Sequence, residues 1–205
     1  MAYSKINICN TALALLGEDS IRSFDQPNKR AKMCDTFFDT TRDYLLFSFD
    51  WSFARKIAKL QPLAGIETPD HTYPYGLPSD CRVVRDLYPR GSKDWWEIVG
   101  GMFLCRTPSD VYIYYTKQAT NPAAFSDAFA NILALAMAVK MSPAISQDKS
   151  LTQVLYNQYK IELREAWEAD ANQGNNYRAY DESPENDKFV NPDSWVAGVD
   201  PNERI

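Results

Sequence analysis

The stretch FANILALAMAVKM, from Phe129 to Met141, limits the possible folds of this chain more than any other. Its apolar side chains and alanines fall on every face of a helix, so no polar stripe is left to contact water. The stretch is shorter than the roughly 20 apolar residues that cross a bilayer. Ser126, Asp127 and Pro143 beside it are typical helix start and stop residues. We therefore expect the central helix of a soluble bundle and not a membrane span.

Apolar residues at three- and four-residue spacing predict three more helices. The first runs from Ser4 to Leu16, with Gly17 at its end, and the second from about Asn28 to Phe49. The last runs from about Asp148 to Asn172. Its inward stripe recurs every fourth residue: Leu151, Leu155, Tyr159, Leu163 and Trp167.

The middle of the chain has a different pattern. Prolines and glycines between Pro62 and Pro78 exclude a long helix. Four runs typical of strands follow: CRVVRDLY, WWEIV, MFLC and VYIYYT. Gly100-Gly101 between two of them predicts a hairpin turn. The segment WSFARKIAKLQP before them fits either one more helical turn or a strand leaving the bundle.

Together these patterns predict an α+β fold that is mainly an α-helical bundle with a small antiparallel β insertion and an extended C-terminal arm. Residues 1–61 supply the N-terminal helices, 62–120 the β insertion, 121–173 the C-terminal helices and 174–205 the arm.

The arm carries seven acidic against three basic residues and few aliphatic ones, a composition that does not fold alone. It nevertheless contains widely spaced aromatic residues: Tyr177, Tyr180, Phe189 and Trp195. We expect a partner-binding arm that becomes ordered on docking, the alternative being an inert tail.

The first 173 residues hold 19 basic and 20 acidic residues, so there is no basic surface that would indicate nucleic-acid binding.

The cysteines are far apart and no histidine lies near them, which predicts reduced core thiols and no metal site. They are Cys9, Cys34, Cys81 and Cys105. The N-terminal MAYSKINICN does not have the pattern of a signal peptide.

Catalytic motifs are absent from the sequence, and no cofactor-binding motif is present. The single histidine, His71, has no nucleophile or carboxylate beside it that would indicate a triad.

One enzymatic alternative is left, a cell-envelope polysaccharide hydrolase. It would use the acids that lie among strand aromatics: Asp86, Asp94 and Glu97. A third hypothesis, DNA binding, rests on two basic clusters, although solvated or interface charges are the commoner explanation. The clusters are Arg55, Lys56 and Lys59, and Arg82, Arg85, Arg90 and Lys93.

Three stretches together resemble the head-to-tail adaptor family of short-tailed bacteriophages, the tail tubular protein A group. They are ICNTALALLG, RDYLLFSFDWSFARK and YPYGLPSDCRVVRDLY. The resemblance covers about residues 3–172 and excludes the arm. The family motif positions that it marks are Asp50, Trp51, Phe53, Leu77, Pro78, Asp80 and Cys81, none of them catalytic.

The resemblance implies a virion component made in the host cytoplasm, with no enzymatic activity. A closed ring of about twelve copies would join the portal protein to the tail nozzle protein. Double-stranded DNA would pass through the ring without sequence-specific binding, and a near-neutral body suits such passage.

Overall fold

The computed structural model describes residues 3–68, 72–88, 94–108 and 110–172. Within them lie four helices: α1 (Lys5–Leu15), α2 (Lys29–Ser48), α3 (Asp127–Ile145) and α4 (Lys149–Ala171). Each follows a polar N-cap whose side chain accepts a backbone N–H of the first turn. The caps are Ser4, Asn28, Ser126 and Asp148. The predicted helix starts are therefore confirmed.

Helix α3 occupies the centre of the helical layer, and α1, α2 and α4 pack against it. Its faces are buried on every side, since the seven consecutive residues 132–138 are all buried. Among the described residues it is the one helix long and apolar enough to cross a membrane. Its position among three other helices accounts for that composition, and the predicted central helix is confirmed.

We expected α3 to end at Pro143, but the helix continues to Ile145. A proline in the last turn lacks one N–H and so removes one backbone hydrogen bond, which a helix about to end can tolerate. The backbone N–H groups of Ser146 and Gln147 both donate to the Ser142 carbonyl and close the helix two residues later than predicted.

The seven described strands form two antiparallel sheets. Sheet A has the order β1 (Arg55–Lys59), β7 (Tyr112–Lys117), β4 (Cys81–Leu87). Sheet B has the order β2 (Gln61–Pro62), β3 (Tyr73–Gly76), β6 (Met102–Cys105), β5 (Trp96–Val99). Gly100 and Gly101 join β5 to β6 with φ of 58° and 81°. Two positive φ angles are what a two-residue type I′ hairpin turn requires, so the predicted turn is confirmed.

The sheets enclose a hydrophobic core of their own, separate from the one around α3. Sheet A contributes side chains such as Val84, Ile113 and Tyr115, and sheet B contributes Tyr75 and Phe103. The molecule therefore has a helical layer and a β sandwich, each with its own buried cluster.

The prediction of a mainly helical bundle with a small β insertion is wrong. Helix makes up about 49% and strand about 20% of the described residues, in four helices and two antiparallel sheets. One source of the error is the segment WSFARKIAKLQP, whose pattern fits either a helical turn or a strand. Its residues Arg55–Lys59 form β1, and this strand pairs with β7 along its whole length. Its pairing partner lies more than fifty residues away, beyond the reach of local periodicity.

Strand β3 is the second source, because the prolines and glycines of this stretch exclude a long helix but do not by themselves indicate a strand. Pro74 accepts a hydrogen bond from the Leu63 N–H at 2.9 Å. In an antiparallel strand the N–H and C=O of a residue point to the same side. The Pro74 nitrogen, which carries no hydrogen, thus faces β2. Strand β2 pairs with Gly76 and Tyr75 of β3. Since β2 does not extend as a strand opposite Pro74, no regular ladder bond is lost.

All four cysteines lie in the described residues as free thiols. Cys9, Cys34 and Cys105 are buried, as predicted for core thiols, and Cys81 is half-buried. Burial raises the pKa of the Cys81 thiol to about 11, which keeps it protonated and unreactive near neutral pH.

Candidate functional site

Three of the motif residues, Asp50, Trp51 and Phe53, lie where the helical layer joins sheet A. We call this place the helix–sheet junction and define it as residues 49–55 together with Arg85 and Asp170. The chain leaves α2 here, turns through a short 3-10 helix at Ser52–Ala54 and enters β1. The junction therefore sets the position of the sandwich relative to the helices.

Trp51 anchors the junction in the helical core. It is fully buried, and its indole N–H donates to the Leu45 carbonyl at 3.0 Å. Its ring meets that of Phe129 edge to face with centroids 5.1 Å apart, and Phe53 packs against the same phenylalanine at 4.9 Å. Since Phe129 belongs to α3, these two motif aromatics join the chain leaving α2 to the central helix.

Asp50 and Asp170 hold the same segment from outside the aromatic cluster. A carboxylate oxygen of Asp50 lies 3.0 Å from the Arg55 guanidinium. Asp170, near the end of α4, is buried and accepts the Ser52 N–H at 2.8 Å and the Ser52 hydroxyl at 2.7 Å. Helix α4 is thus connected directly to the entrance of β1.

Arg85 of β4 binds the C-terminal end of α2. Its guanidinium donates to the carbonyls of Leu46, Phe47 and Phe49 at 2.7 to 2.9 Å and to the Thr116 hydroxyl at 2.8 Å. The last carbonyls of a helix have no intrahelical donor, and the helix dipole favours a cation there. Arg85 thus caps α2 and attaches it to sheet A.

Asp80 organises the other end of β4. It accepts hydrogen bonds from the Lys56 ammonium at 2.8 Å and the Tyr115 hydroxyl at 2.9 Å, and its own carbonyl accepts the Gln118 N–H at 2.7 Å. The Lys56 ammonium, followed by the Tyr115 hydroxyl, lowers the pKa of the Asp80 carboxyl. The residue therefore joins all three strands of sheet A.

The remaining motif residues complete the turn into β4. The Cys81 N–H donates to the Pro78 carbonyl at 2.9 Å, and Leu77 and Cys81 pack against the sandwich core. Of the motif positions, Asp50, Trp51 and Phe53 therefore lie at the junction, whereas Leu77, Asp80 and Cys81 make their contacts within the sheets. None of these contacts resembles a nucleophile beside a general base.

The outer face of sheet A, opposite the sandwich core, carries a tyrosine patch. Tyr88 and Tyr112 are exposed, and the Tyr88 ring lies 6.2 Å from that of Tyr112 and 5.5 Å from that of Tyr114. Ile57, exposed, pairs with Tyr114 across the strands. We define the tyrosine patch as these four residues. Aromatic side chains at the surface are typical of protein interfaces.

The acids of the enzymatic alternative do not share one sheet. Asp86 lies on β4 of sheet A, where its carboxylate accepts the Leu87 N–H at 2.8 Å. Glu97 is exposed on β5, at the edge of sheet B, and Asp94 lies 3.4 Å from the Thr107 hydroxyl. His71 is outside the described residues. Across the described ranges, no three His, Cys, Asp or Glu side chains are grouped so that they could hold a metal ion.

Most cations of the two basic clusters have an anionic or carbonyl partner. Arg55 pairs with Asp50, Lys56 with Asp80 and Lys59 with Asp110. Arg85 binds the end of α2 as described above. Arg82 is exposed on β4, and Arg90 and Lys93 lie outside the described residues.

The aromatic residues expected to anchor the arm, Tyr177, Tyr180, Phe189 and Trp195, also lie outside the described residues. Their role stays a prediction.

Comparisons with known proteins do not identify the chain. No family model matches the sequence, and no curated protein is similar to it. The resemblance to the adaptor family therefore rests on the three quoted stretches, and the function is a proposal.

Proposed function

We propose that this chain is a structural head-to-tail adaptor of a short-tailed bacteriophage. About twelve copies would form a ring between the portal and the tail nozzle, extend the DNA channel and help retain and then release the genome. The observation that carries the proposal is the helix–sheet junction. Trp51, Ser52 and Arg85, which lie in two of the stretches that resemble the family, each make one of the contacts at this junction.

A rigid joint of this kind suits a subunit that must transmit force. Trp51 anchors the junction in the helical core, Asp170 connects α4, and Arg85 caps α2 from sheet A. Buried or half-buried polar contacts of this number favour one relative orientation of two units, because any other orientation leaves polar groups without partners. A ring subunit of fixed shape can then repeat the same contact at each step of the ring.

The tyrosine patch is our candidate for a surface that contacts another virion component. A ring that closes needs two different faces on every subunit, and Tyr88, Tyr112 and Ile57 form an exposed apolar face distinct from the helical layer. The arm of residues 174–205 would add a second means of attachment to portal or to a neighbouring copy.

The test is assembly with portal protein encoded by the same virus. The purified chain is mixed with portal and examined by electron microscopy and by mass measurement. We expect rings attached to portal, with a mass corresponding to about twelve copies. Failure to form rings or to bind portal under any condition would reject the proposal.

A matched pair of variants tests the tyrosine patch within the same assay. Tyr112→Lys places a charge in the patch, and Tyr73→Lys changes a similarly exposed tyrosine on sheet B. We expect only Tyr112→Lys to reduce the number of copies bound. Equal effects would show that the patch has no special part in assembly.

A further inference from the structure

The outer face of α4 has an unusual composition between Ser150 and Ile161. Every exposed residue of the helix in this range is uncharged. We call this set the uncharged face; it consists of Ser150, Gln153, Val154, Asn157, Gln158 and Ile161. These positions recur at three- and four-residue spacing and lie on one side of the helix.

Exposure on a helix does not by itself account for the absence of charge. The exposed side of α2 carries a charged residue at nearly every turn: Lys29, Lys32, Asp35 and Asp39. Both helices pack their other side against α3. Depletion of charge with exposed apolar residues is the compositional mark of an interface core, and of these two helices α4 alone has it.

Val154 and Ile161 belong to neither hydrophobic core of the described part of the chain. They are 61% and 59% exposed, whereas the inward stripe of α4 is already filled by Leu155, Tyr159 and Leu163, each about 3% exposed or less. Valine and isoleucine are also weaker helix formers than alanine, lysine or glutamate. Neither packing against the described residues nor helix propensity explains them at these positions.

The uncharged face is complementary to itself. If two α4 helices lie antiparallel about a two-fold axis between Asn157 and Gln158, Val154 of one copy lies opposite Ile161 of the other. The central amides of Asn157 and Gln158 then face each other. Amide pairs and apolar pairs are therefore matched across the axis by the spacing of the residues alone.

Charge is complementary in the same arrangement. The N-terminal end of the face is next to Lys149, which is exposed, and beyond its C-terminal end the helix exposes Glu165 and Glu168. Arg164 lies 3.6 Å from Glu168 and offsets part of that charge. The antiparallel pair places Lys149 of one copy within one residue of Glu165 of the other, whereas a parallel pair would bring like charges together.

We propose that two copies of the chain form a two-fold dimer through the uncharged face of α4. The face is about 16 Å long, so the contact belongs to the small, reversible class of interfaces below about 1,200 Å². The contact is distinct from those of a ring, which join two different faces of the subunit. It therefore does not depend on the proposed function.

A self-cross-linking experiment tests the symmetry directly. Facing helices with axes 8–10 Å apart bring Cα atoms near a two-fold axis into disulfide range. With the full chain and mild oxidation, Asn157→Cys should form a covalent dimer. Thr36→Cys, on the charged outer side of α2, and the wild-type protein with its buried and half-buried thiols should not. No dimer with Asn157→Cys, or equal amounts in all three, would overturn the proposal.

Sedimentation equilibrium supplies a second, independent readout. We expect Ile161→Lys to raise the dimer dissociation constant at least tenfold and Thr36→Lys to leave it unchanged. Lys149→Glu should weaken the dimer, and adding Glu165→Lys should restore it, because the two side chains come within reach of each other only in the antiparallel pair. Dimers that Ile161→Lys does not affect, or a double variant no stronger than Lys149→Glu, would exclude this interface even if rings form on portal.

Discussion

Arg85→Met removes the guanidinium that joins α2 to sheet A while keeping an unbranched apolar side chain of similar length. The substitution takes away the donors to the Leu46, Phe47 and Phe49 carbonyls and to the Thr116 hydroxyl. Thr116 is fully buried, so its hydroxyl loses a partner that water cannot easily replace. The α2 carbonyls lose the cation that the helix dipole favours.

The size of the effect follows from the kinds of interaction that the substitution removes. A hydrogen bond to a charged group contributes about 1.5–3 kcal/mol net, and a cation at a helix C-terminus contributes up to about 2 kcal/mol. These contributions overlap, and the helix carbonyls regain some water in the variant. We therefore expect a decrease of about 2–3 kcal/mol in the free energy of unfolding. For a chain of this length that lowers Tm by about 5–10 °C.

Thermal and urea unfolding followed by circular dichroism measure this decrease. Arg82→Met is the matched control, because Arg82 is exposed three residues earlier on β4 and should change Tm little. Arg85→Lys should fall between the two, since an ammonium keeps the charge but cannot form the forked set of bonds. If Arg85→Met and Arg82→Met unfold alike, the idea that Arg85 locks the junction is wrong.

Four further predictions concern the junction, sheet A, the arm and the absence of catalysis. Ser52→Ala removes the hydroxyl that donates to Asp170 and should cost about 1–2 kcal/mol in unfolding free energy, whereas exposed Ser150→Ala should cost much less. Because the pKa of Asp80 is lowered by Lys56, its carboxylate stabilises the fold above an ordinary aspartate pKa of about 3.9, and this stability is lost as pH falls through the lower, folded-state pKa. Urea midpoints of wild type and Asp80→Asn should thus differ at neutral pH and converge in acid, while a constant difference would contradict the assignment. Deletion of residues 175–205 should leave unfolding unchanged and weaken portal binding, with Trp195→Ala accounting for about 2 kcal/mol; unchanged binding by both would show a passive tail. A zymogram with bacterial envelope substrate should show no clearing, and clearing abolished by Glu97→Gln would instead support the hydrolase.

The features that were predictable from the sequence are those set by neighbours along the chain. Phe129–Met141 is apolar on every side because three helices cover it, and the cap residues Ser4, Asn28 and Asp148 act through donors two or three residues away. The Gly100-Gly101 turn is equally local. Each of these signals lies within the span of one element.

The features that were missed depend on contacts between distant parts of the chain. Arg85 was assigned only to a basic cluster, because its partners at the end of α2 are nearly forty residues earlier in the chain. They are backbone carbonyls, which every residue has and which no sequence pattern identifies. Asp170 carried a readable signal: it follows Leu163 by seven residues and so falls on the inward stripe of α4. A buried acid requires a hydrogen-bond donor, and that donor is the half-buried Ser52.

The chemistry of the junction differs from that of the two cores it connects, and this difference bears on its role. The helical core and the sandwich core are apolar, and the hydrophobic effect that stabilises them is non-directional. The junction instead depends on directional contacts, since Ser52 must reach Asp170 and Arg85 must reach three carbonyls around the end of α2. A misplacement of about 1 Å would lengthen most of these bonds beyond hydrogen-bond range. The residues in the family-like stretches thus fix an orientation, and a fixed orientation is what a subunit needs if identical copies are to close a ring.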